Sequence, residues 1–380
     1  MIYKQYKRCK NCIMDSSDSS ISFDETGQCT YCDNFYRKIL PEWNANLKDK
    51  KGLLKVIDKI KKEGKNKDFD CIIGLSGGLD SSYLAYMAKV KFGLRPLLFH
   101  VDAGWNTDRA VGNIEKLVDG LGLDLYTEVI NWEEMKDLQV AFLKSQIPHQ
   151  DIPQDTAFFS SLYKFARKHK IKYVLTGGNY STECIREPNE WGVVPGIDKT
   201  LITGIHSIYG ARPLKTFPII DVFVSKIYYM YFLGMQVFKP LDFIAYIKSD
   251  AEIELNNFCG WEKFKHKHHE SRFTRFFEDY WLPKKFGFDR RKAHFSSLIL
   301  TGQMTKKDAI ERIKKLELGD HFLEQEFEYV AHKLGLTVSE LKFIFEGSNK
   351  SIDDYKNKQL FVNFGSKVMR MFGLEKRLYK

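Results

Sequence analysis

The sequence predicts an α/β fold: a parallel sheet covered by helices on both faces, with a small cysteine-held module before it and a mostly helical region after it. Three observations predict this. Between Phe69 and Gly178 short apolar runs alternate with helical stretches, as they do when strands are buried on both faces. After about Arg212 the alternation stops. Ahead of it all, two Cys-x-x-Cys pairs stand apart with turn-rich sequence between them. The expected units are residues 1–40, 41–212 and 213–380.

The first unit holds Cys9-Lys-Asn-Cys12 and Cys29-Thr-Tyr-Cys32, separated by 16 residues. That spacing suits a tetrahedral Zn²⁺ site in which each pair forms one knuckle. Four thiolates leave no open position, so the expected role is structural, and the metal would fold a segment too small to fold alone. Met1–Lys10 has no apolar run to act as an export signal, so the expected compartment is the cytoplasm, where paired cysteines read as metal ligands.

Pro41 opens a charged, helical connection to Lys67. Asp70–Leu75 is the first strand, Ser81–Phe92 a helix, Pro96–Val101 the second strand and Thr107–Leu121 a helix. Leu125–Ile130 is the third strand, Asp155–His169 a helix and Lys172–Thr176 the fourth strand. Ligands of such sheets bind at the carboxyl ends of strands, so the loops after Leu75, Val101 and Thr176 share the functional edge. The most apolar later stretch, Ile219–Val237, contains Asp221 and Lys226. It reads as a buried aromatic helix rather than a membrane span. Thr305 and Thr337, each with an acid three residues on, read as helix starts.

Composition constrains function less than motif does. The net charge is +10, from 59 Lys and Arg against 49 Asp and Glu, and the excess is spread along the chain. It suits a polyanionic ligand such as a nucleotide, and equally a solvated lysine-rich surface. No arm of concentrated charge marks a nucleic-acid partner.

The sharpest motif is Leu75-Ser76-Gly77-Gly78-Leu79-Asp80-Ser81-Ser82, set between a buried strand and a helix. Gly77 and Gly78 let the backbone curl around an anion. The helix start offers free N–H groups and the positive end of its dipole. Ser76, Ser81 and Ser82 can add hydroxyl donors. Asp80 repels an anion unless a cation bridges the two, which assigns it to Mg²⁺. No Gly-Lys-Ser/Thr follows, so this is not a Walker A loop.

The octet resembles the PP-loop of the ATP pyrophosphatases. The resemblance implies a Rossmann-like sheet and a loop that binds the β,γ-pyrophosphate of ATP. It implies attack by a substrate oxygen on the α-phosphorus, and displacement of AMP by a nitrogen or sulfur nucleophile. It places adenosine contacts at His100, Asp102 and Gly104, and further nucleotide or metal contacts at Thr176, Gly177, Gly178 and Asn179. Glu183 becomes a second Mg²⁺ ligand.

Farther on, Tyr280–His294 interleaves aromatic rings with Lys284, Lys285, Arg290, Arg291 and Lys292. Cations beside rings suit a diphosphate joined to a base, or single-stranded RNA. With Cys71 read as core, Cys184 as a lone thiol on the active edge, and His266, His268 and His269 as a polar loop, few other groups call for chemistry.

The Cys₄ module, the loop, Thr176-Gly-Gly-Asn179 and the run Gly287–Gln303 occur together in this order. The combination resembles the N-acetyl sugar amidotransferases of bacterial surface-polysaccharide synthesis, including lipopolysaccharide O-antigen. The resemblance implies ATP, Mg²⁺ and Zn²⁺ as cofactors and a nucleotide-linked sugar, UDP-linked by expectation, as substrate. An acetamido group would become an acetamidino group. Asp80, Ser81, Lys284 and Arg290 would carry the chemistry. Ammonia would come from a separate glutaminase through a cyclase-like channel subunit of the histidine-biosynthesis type, since position 2 is Ile and offers no N-terminal Cys nucleophile. No nucleic acid is expected as a partner. The rival reading is a tRNA-thiolating enzyme, which also joins zinc ribbons to a PP-loop but commonly carries two catalytic Cys. A non-catalytic nucleotide-binding scaffold is the third reading.

Overall fold

The computed structural model describes residues 6–192, 196–315 and 320–371. Five parallel strands run in the order β3-β2-β1-β4-β5, with β1 Cys71–Gly74, β2 Pro96–Asp102, β3 Leu125–Val129, β4 Tyr173–Leu175 and β5 Gln236–Phe238. The chain leaves β1 toward β2 and β3, then returns to lay β4 on the other side. The strand order therefore reverses beside β1, and the carboxyl ends of β1 and β4 open a crevice there.

Alternation along the strands makes two cores. Ile72, Leu97, Phe99 and Val174 face a layer containing Phe142, Leu162 and Ala166. Cys71, Ile73, Leu98 and Leu175 face Leu84, Leu117 and Trp261. This is the period-2 division expected of a strand covered on both sides. β3 is the exception: it is an edge strand, and Tyr126 and Val129 reach solvent.

Several elements depart from expectation. Helix Trp132–Ser145 follows β3 directly. Its start is fixed by the Asn131 side chain, which accepts from the N–H groups of Glu133 and Glu134 at 3.0 and 3.2 Å. Helix Ile152–Lys168 begins three residues earlier than expected, with Pro153 in its first turn, where a missing N–H costs nothing. β5 lies beyond the boundary expected at 212/213, so the sheet draws a strand from the later region. Its register, Tyr173 opposite Gln236 and Leu175 opposite Phe238, is closed by Gln236 N–H on the Lys172 carbonyl at 2.8 Å. The stretch expected as a buried aromatic helix does form a helix, Val224–Phe232, but only Ser225 and Tyr229 of it are buried, and Phe232 is 78% exposed. Thr305 and Thr337 cap their helices, Thr337 in a reciprocal box with Glu340. No helix among the described residues is long and apolar enough to cross a membrane.

The cysteine module is not an appendage. Its core includes Cys9, Cys12, Cys29, Cys32, Phe35 and Trp43 together with Tyr180, Ile185 and Ala293. The module is fastened to helix Arg291–Leu300 by Ile13 N–H on Ser296 Oγ at 3.1 Å and by a Lys292–Asp15 ion pair at 2.8 Å.

Candidate active site

β1 ends at Gly74, and the chain turns through Ser76 and Gly77 into helix Leu79–Tyr86. Gly77 has φ +80°, and a Cβ there would lie 2.5 Å from the Ala110 carbonyl oxygen. A Cβ on Gly78 would lie 2.7 Å from Glu270 Oε1. Gly77 therefore demands glycine, whereas at Gly78 the nearest obstacle is the movable end of the Glu270 side chain. A Cβ on Gly177, after β4, would meet the Asp80 backbone at 2.9 Å, so the two strand-end loops pack directly together.

The loop closes on itself through serine. Ser76 Oγ and Ser81 Oγ are 3.2 Å apart, Gly78 N–H donates to Ser76 Oγ at 3.2 Å, and Ser76 N–H donates to Ser81 Oγ at 3.3 Å. Ser82 is fully buried beneath the loop, and its Oγ has no hydrogen-bond partner among the described residues.

The loop forms one wall of a cleft with two lobes, which share Ser76, His268 and Glu270. The first, about 220 Å³, holds Ser76, Gly78, Asp80, Ser81, Gly177, Gly178 and Glu183, faced by Lys248, Lys267 and His294. The second, about 340 Å³, lies over the ends of β1 and β2. There His100 and Asn106 meet Phe158, Phe159, Asp151, Thr274, Glu278 and Arg290. A lobe that gathers charged side chains beside one lined by Phe158 and Phe159 offers places for phosphates and for a flat or sugar-like group.

Charges in the first lobe are paired. Asp80 accepts from the Tyr246 hydroxyl at 2.5 Å and lies 3.7 Å from the Lys267 ammonium, which also contacts Glu183. Burial alone would raise the Glu183 pKa, but the Lys267 ammonium outweighs it and holds the carboxyl below its usual range. Burial likewise works against charge on Lys267, and the attraction of Glu183 and Asp80 overrides it upward. His294 is driven well below the usual histidine range, first by burial and then by Lys267 and Lys248.

In the second lobe Arg290 is held by Glu187 at 3.0 Å and Glu278 at 2.8 Å, and His268 pairs with Glu278 at 3.0 Å. Burial would depress His268, yet the Glu278 carboxylate lifts it to about 9. Burial raises Asp151 to about 6, and hydrogen bonds from Thr274 and Gln154 only partly oppose it.

The remaining expected site residues divide. His100 Nδ1 lies 2.8 Å from the Leu75 carbonyl and Nε2 2.9 Å from the Asn106 amide. The first contact needs a donor and the second an acceptor, so neither nitrogen is left over to act as a base. Asp102 accepts from Gly104 N–H at 2.8 Å and from Asn106 at 3.2 Å; it shapes the turn after β2 and lines neither lobe. Gly104, at φ +85°, makes room for the Trp132 ring. Asn179 is buried and caps Thr182 N–H at 2.8 Å. Thr176 N–H pairs with the Phe238 carbonyl at 3.0 Å. These four residues support the site without facing it. Lys284 is corrected outright: buried Trp281 and Leu282 set the inner face of helix Phe277–Phe286, and Lys284 projects to solvent outside both lobes. Lys285 donates to the Phe345 and Gly347 carbonyls at 2.7 and 2.5 Å, and Arg291 pairs with Asp289 at 2.7 Å. Of these cations only Arg290 lines the cleft.

Sequence reasoning missed Lys248, Lys267, His268, Glu270 and Glu278. The available signal was the charge density of Glu262–Glu270, including the three histidines read as a polar loop. Cys184, by contrast, is core: it is buried, its thiol is pushed up to about 12, and its Sγ faces the Ser297 carbonyl.

The four module cysteines converge, all Sγ atoms lying within 4.8 Å of one another. Sγ separations are 3.7 Å for Cys9–Cys32 and 3.6 Å for Cys12–Cys29. Four thiolates around a tetrahedral ion at Zn–S distances sit about 3.8 Å apart, so the cluster fits such an ion. The N–H groups of Asn11 and Cys29 point at Cys9 Sγ, at 3.4 and 3.3 Å, as expected around a thiolate.

Residues 270–369 match the family model described as LPS biosynthesis protein WbpG-like, C-terminal domain. This part of the chain is WbpG-like. It contains the whole run Gly287–Gln303, one of the four features on which the family resemblance rests, and it contributes Glu270, Thr274, Glu278, Arg290 and His294 to the cleft. Solved structures similar to the chain include NMN synthetase from Francisella tularensis, at 14% identity over 79% of this chain and 95% of that one, with a TM-score of 0.30. Another is the NH3-dependent NAD synthetase from Campylobacter jejuni subsp. jejuni NCTC 11168 in complex with the nitrate ion, at 20% identity over 55% of this chain and 83% of that one, with a TM-score of 0.27. Both likenesses are too distant to bear on chemistry. No curated protein matches the chain.

Proposed function

We propose that the chain is an ATP-dependent amidotransferase of surface-polysaccharide synthesis, acting on the acetamido group of a nucleotide-linked, UDP-type sugar. The observation that carries this reading is the shared cleft: the loop that begins at Ser76 forms one wall, and the WbpG-like segment supplies Glu270 and His294 to the first lobe and Glu270, Thr274, Glu278 and Arg290 to the second.

The chemistry needs what these walls offer. An amide carbonyl is a poor electrophile. Attack of its oxygen on the α-phosphorus of ATP forms an O–P bond and breaks the bond to pyrophosphate, leaving an O-adenylated imidate. Ammonia adds to the imidate carbon, AMP departs with the former amide oxygen, and an acetamidino group remains. The sum is amide plus ammonia plus ATP giving amidine plus AMP plus pyrophosphate.

Loop N–H groups and the hydroxyls of Ser76 and Ser81 hold the β- and γ-phosphates, and the helix start stabilises the departing charge. Asp80 and Glu183 would hold Mg²⁺, in keeping with its habit of taking one or two carboxylates plus phosphate oxygens. That ion would neutralise charge on the leaving pyrophosphate. Arg290 binds a diphosphate or orients the sugar from the second lobe. The Cys9, Cys12, Cys29 and Cys32 cluster would hold Zn²⁺, which would stabilise the module to which helix 291–300 is fastened.

The test is direct. The protein is incubated with ATP, Mg²⁺, ammonium and a panel of UDP-linked acetamido sugars. Pyrophosphate is assayed and products are weighed by mass spectrometry. The reading expects sugar-dependent pyrophosphate and a product in which NH replaces O; formation of ADP and orthophosphate alone refutes it. The tRNA-thiolation alternative loses ground at Cys184, whose burial and raised thiol pKa leave no reactive sulfur beside the loop.

A further inference from the structure

Residues 260–271 supply Trp261, Phe264, His266, Lys267, His268 and Glu270 to the lining of the first lobe, and the segment is pinned at both ends. At one end Trp261 Nε1 donates to the Gly77 carbonyl at 3.2 Å, and Asn113 exchanges two 2.8 Å hydrogen bonds with the Glu262 backbone. At the other, Thr107 N–H donates to the Glu270 carbonyl at 3.0 Å and Arg272 N–H to the Trp105 carbonyl at 2.7 Å. Between the pins His268 adopts a left-handed φ of +60°, uncommon outside glycine. Beside it the Lys267 side chain, 20% exposed, lies against two carboxylates at once, touching Glu183 and standing 3.7 Å from Asp80 Oδ2.

Asp80 and Glu183 are the pair that the proposed function gives to Mg²⁺, and the present inference rests on that assignment. Mg²⁺ takes oxygen ligands at about 2.0–2.1 Å in octahedral order, and an ammonium already lying against one oxygen of each carboxylate repels it and competes for the same negative charge. We infer that Lys267 is a displaceable placeholder: its ammonium neutralises Asp80 and Glu183 before nucleotide binds, and it moves onto a phosphoryl oxygen when the divalent cation takes its position. A lysine suits this task. Its charge is compact, its four-carbon stem is flexible, and phosphate is one of its ordinary partners. The consequence is coupling. Metal arriving alone must expel the ammonium with no new anion to receive it. Metal arriving with a triphosphate brings that anion, so each ligand strengthens the other.

The experiment uses the zinc-replete full chain, with Mn²⁺ in place of Mg²⁺ and binding followed by electron paramagnetic resonance. Wild type, Lys267→Met and Lys267→Gln are compared, with circular dichroism to confirm folding. Without nucleotide, both variants should bind Mn²⁺ about tenfold more tightly than wild type, because the competing charge is gone. With α,β-methylene-ATP present the order should reverse, since the variants lack the phosphate contact. Adding Asp80→Asn to Lys267→Met should erase the gain. The inference is overturned if folded variants bind Mn²⁺ no more tightly than wild type, or if the gain survives Asp80→Asn. These outcomes are independent of sugar turnover. A wild type that releases no pyrophosphate with any sugar would defeat the amidotransferase reading while the nucleotide-free comparison still returned its own answer.

Discussion

Asp80 occupies the first turn of helix 79–86, where the dipole welcomes a carboxylate but where an incoming phosphate would be repelled by it. The conflict resolves only if a cation stands between the two anions. Asp80→Ala should therefore lower kcat by about 100-fold or more while the fold survives, since the side chain meets only Tyr246 and Lys267 among the described residues. Steady-state kinetics beside a thermal melt would check this, and full activity would remove the metal assignment. His268 gives a prediction in pH. Its pKa in the folded protein is about 9 against an ordinary 6.5, so folding tightens its hold on the proton. Its contribution to stability is then complete below about pH 6.5 and disappears as pH rises through about 9. Urea denaturation across that window should show wild type weakening more steeply than His268→Gln; parallel curves would mean that the Glu278 pairing stores no stability.

Helix 291–300 joins the cysteine module to the cleft. Lys292 on one side pairs with Asp15, whereas His294 lines the first lobe. Stripping the metal should thus be felt at a distance. With a strong chelator, amide exchange should accelerate in residues 9–32 and then across 291–300, and turnover should fall with it. Exchange confined to the module would show that the helix stands without its anchor. Elements of this kind also explain what could be read from sequence and what could not. The strands β1, β2 and β4 were legible because burial on both faces makes them continuously apolar and their flanking glycines mark the ends. The loop after β1 was legible because a backbone that curls at Gly77 tolerates so few residues. β5 was not, because three residues carry no period. The exposed faces of helix 224–232 were not, because apolar composition alone says nothing about what covers a helix. The second wall of the cleft was hidden for a different reason. Lys267, Glu270 and Glu278 reach the site by tertiary folding of a distant segment, and no local spacing encodes that approach; Arg290 alone of the cations in its run was both expected and found there.

The molecule as a whole sets the glycine-rich loop against a wall drawn partly from the WbpG-like segment, and under the proposed function its seven cysteines bear on where nitrogen can come from. Four converge on the module cluster. Cys71 and Cys184 are buried, and burial pushes both thiols upward. Cys259 is half-buried at the end of helix 248–259, its thiol also raised by burial, with Sγ toward the Leu255 carbonyl. A glutaminase thiol must be exposed and kept as thiolate by an adjacent base, and none of these meets that description. The isolated chain should therefore use ammonium and not glutamine. Turnover should follow the concentration of free ammonia, rising with pH at fixed total ammonium until the nucleotide site itself fails. Glutamine should become a donor only when a separate glutaminase is added. The check is one pyrophosphate assay run with each nitrogen source at several pH values, with the sugar held saturating. Glutamine-dependent turnover by the purified chain alone would show that one of these thiols becomes accessible, and Cys259→Ala would then be the variant to make first.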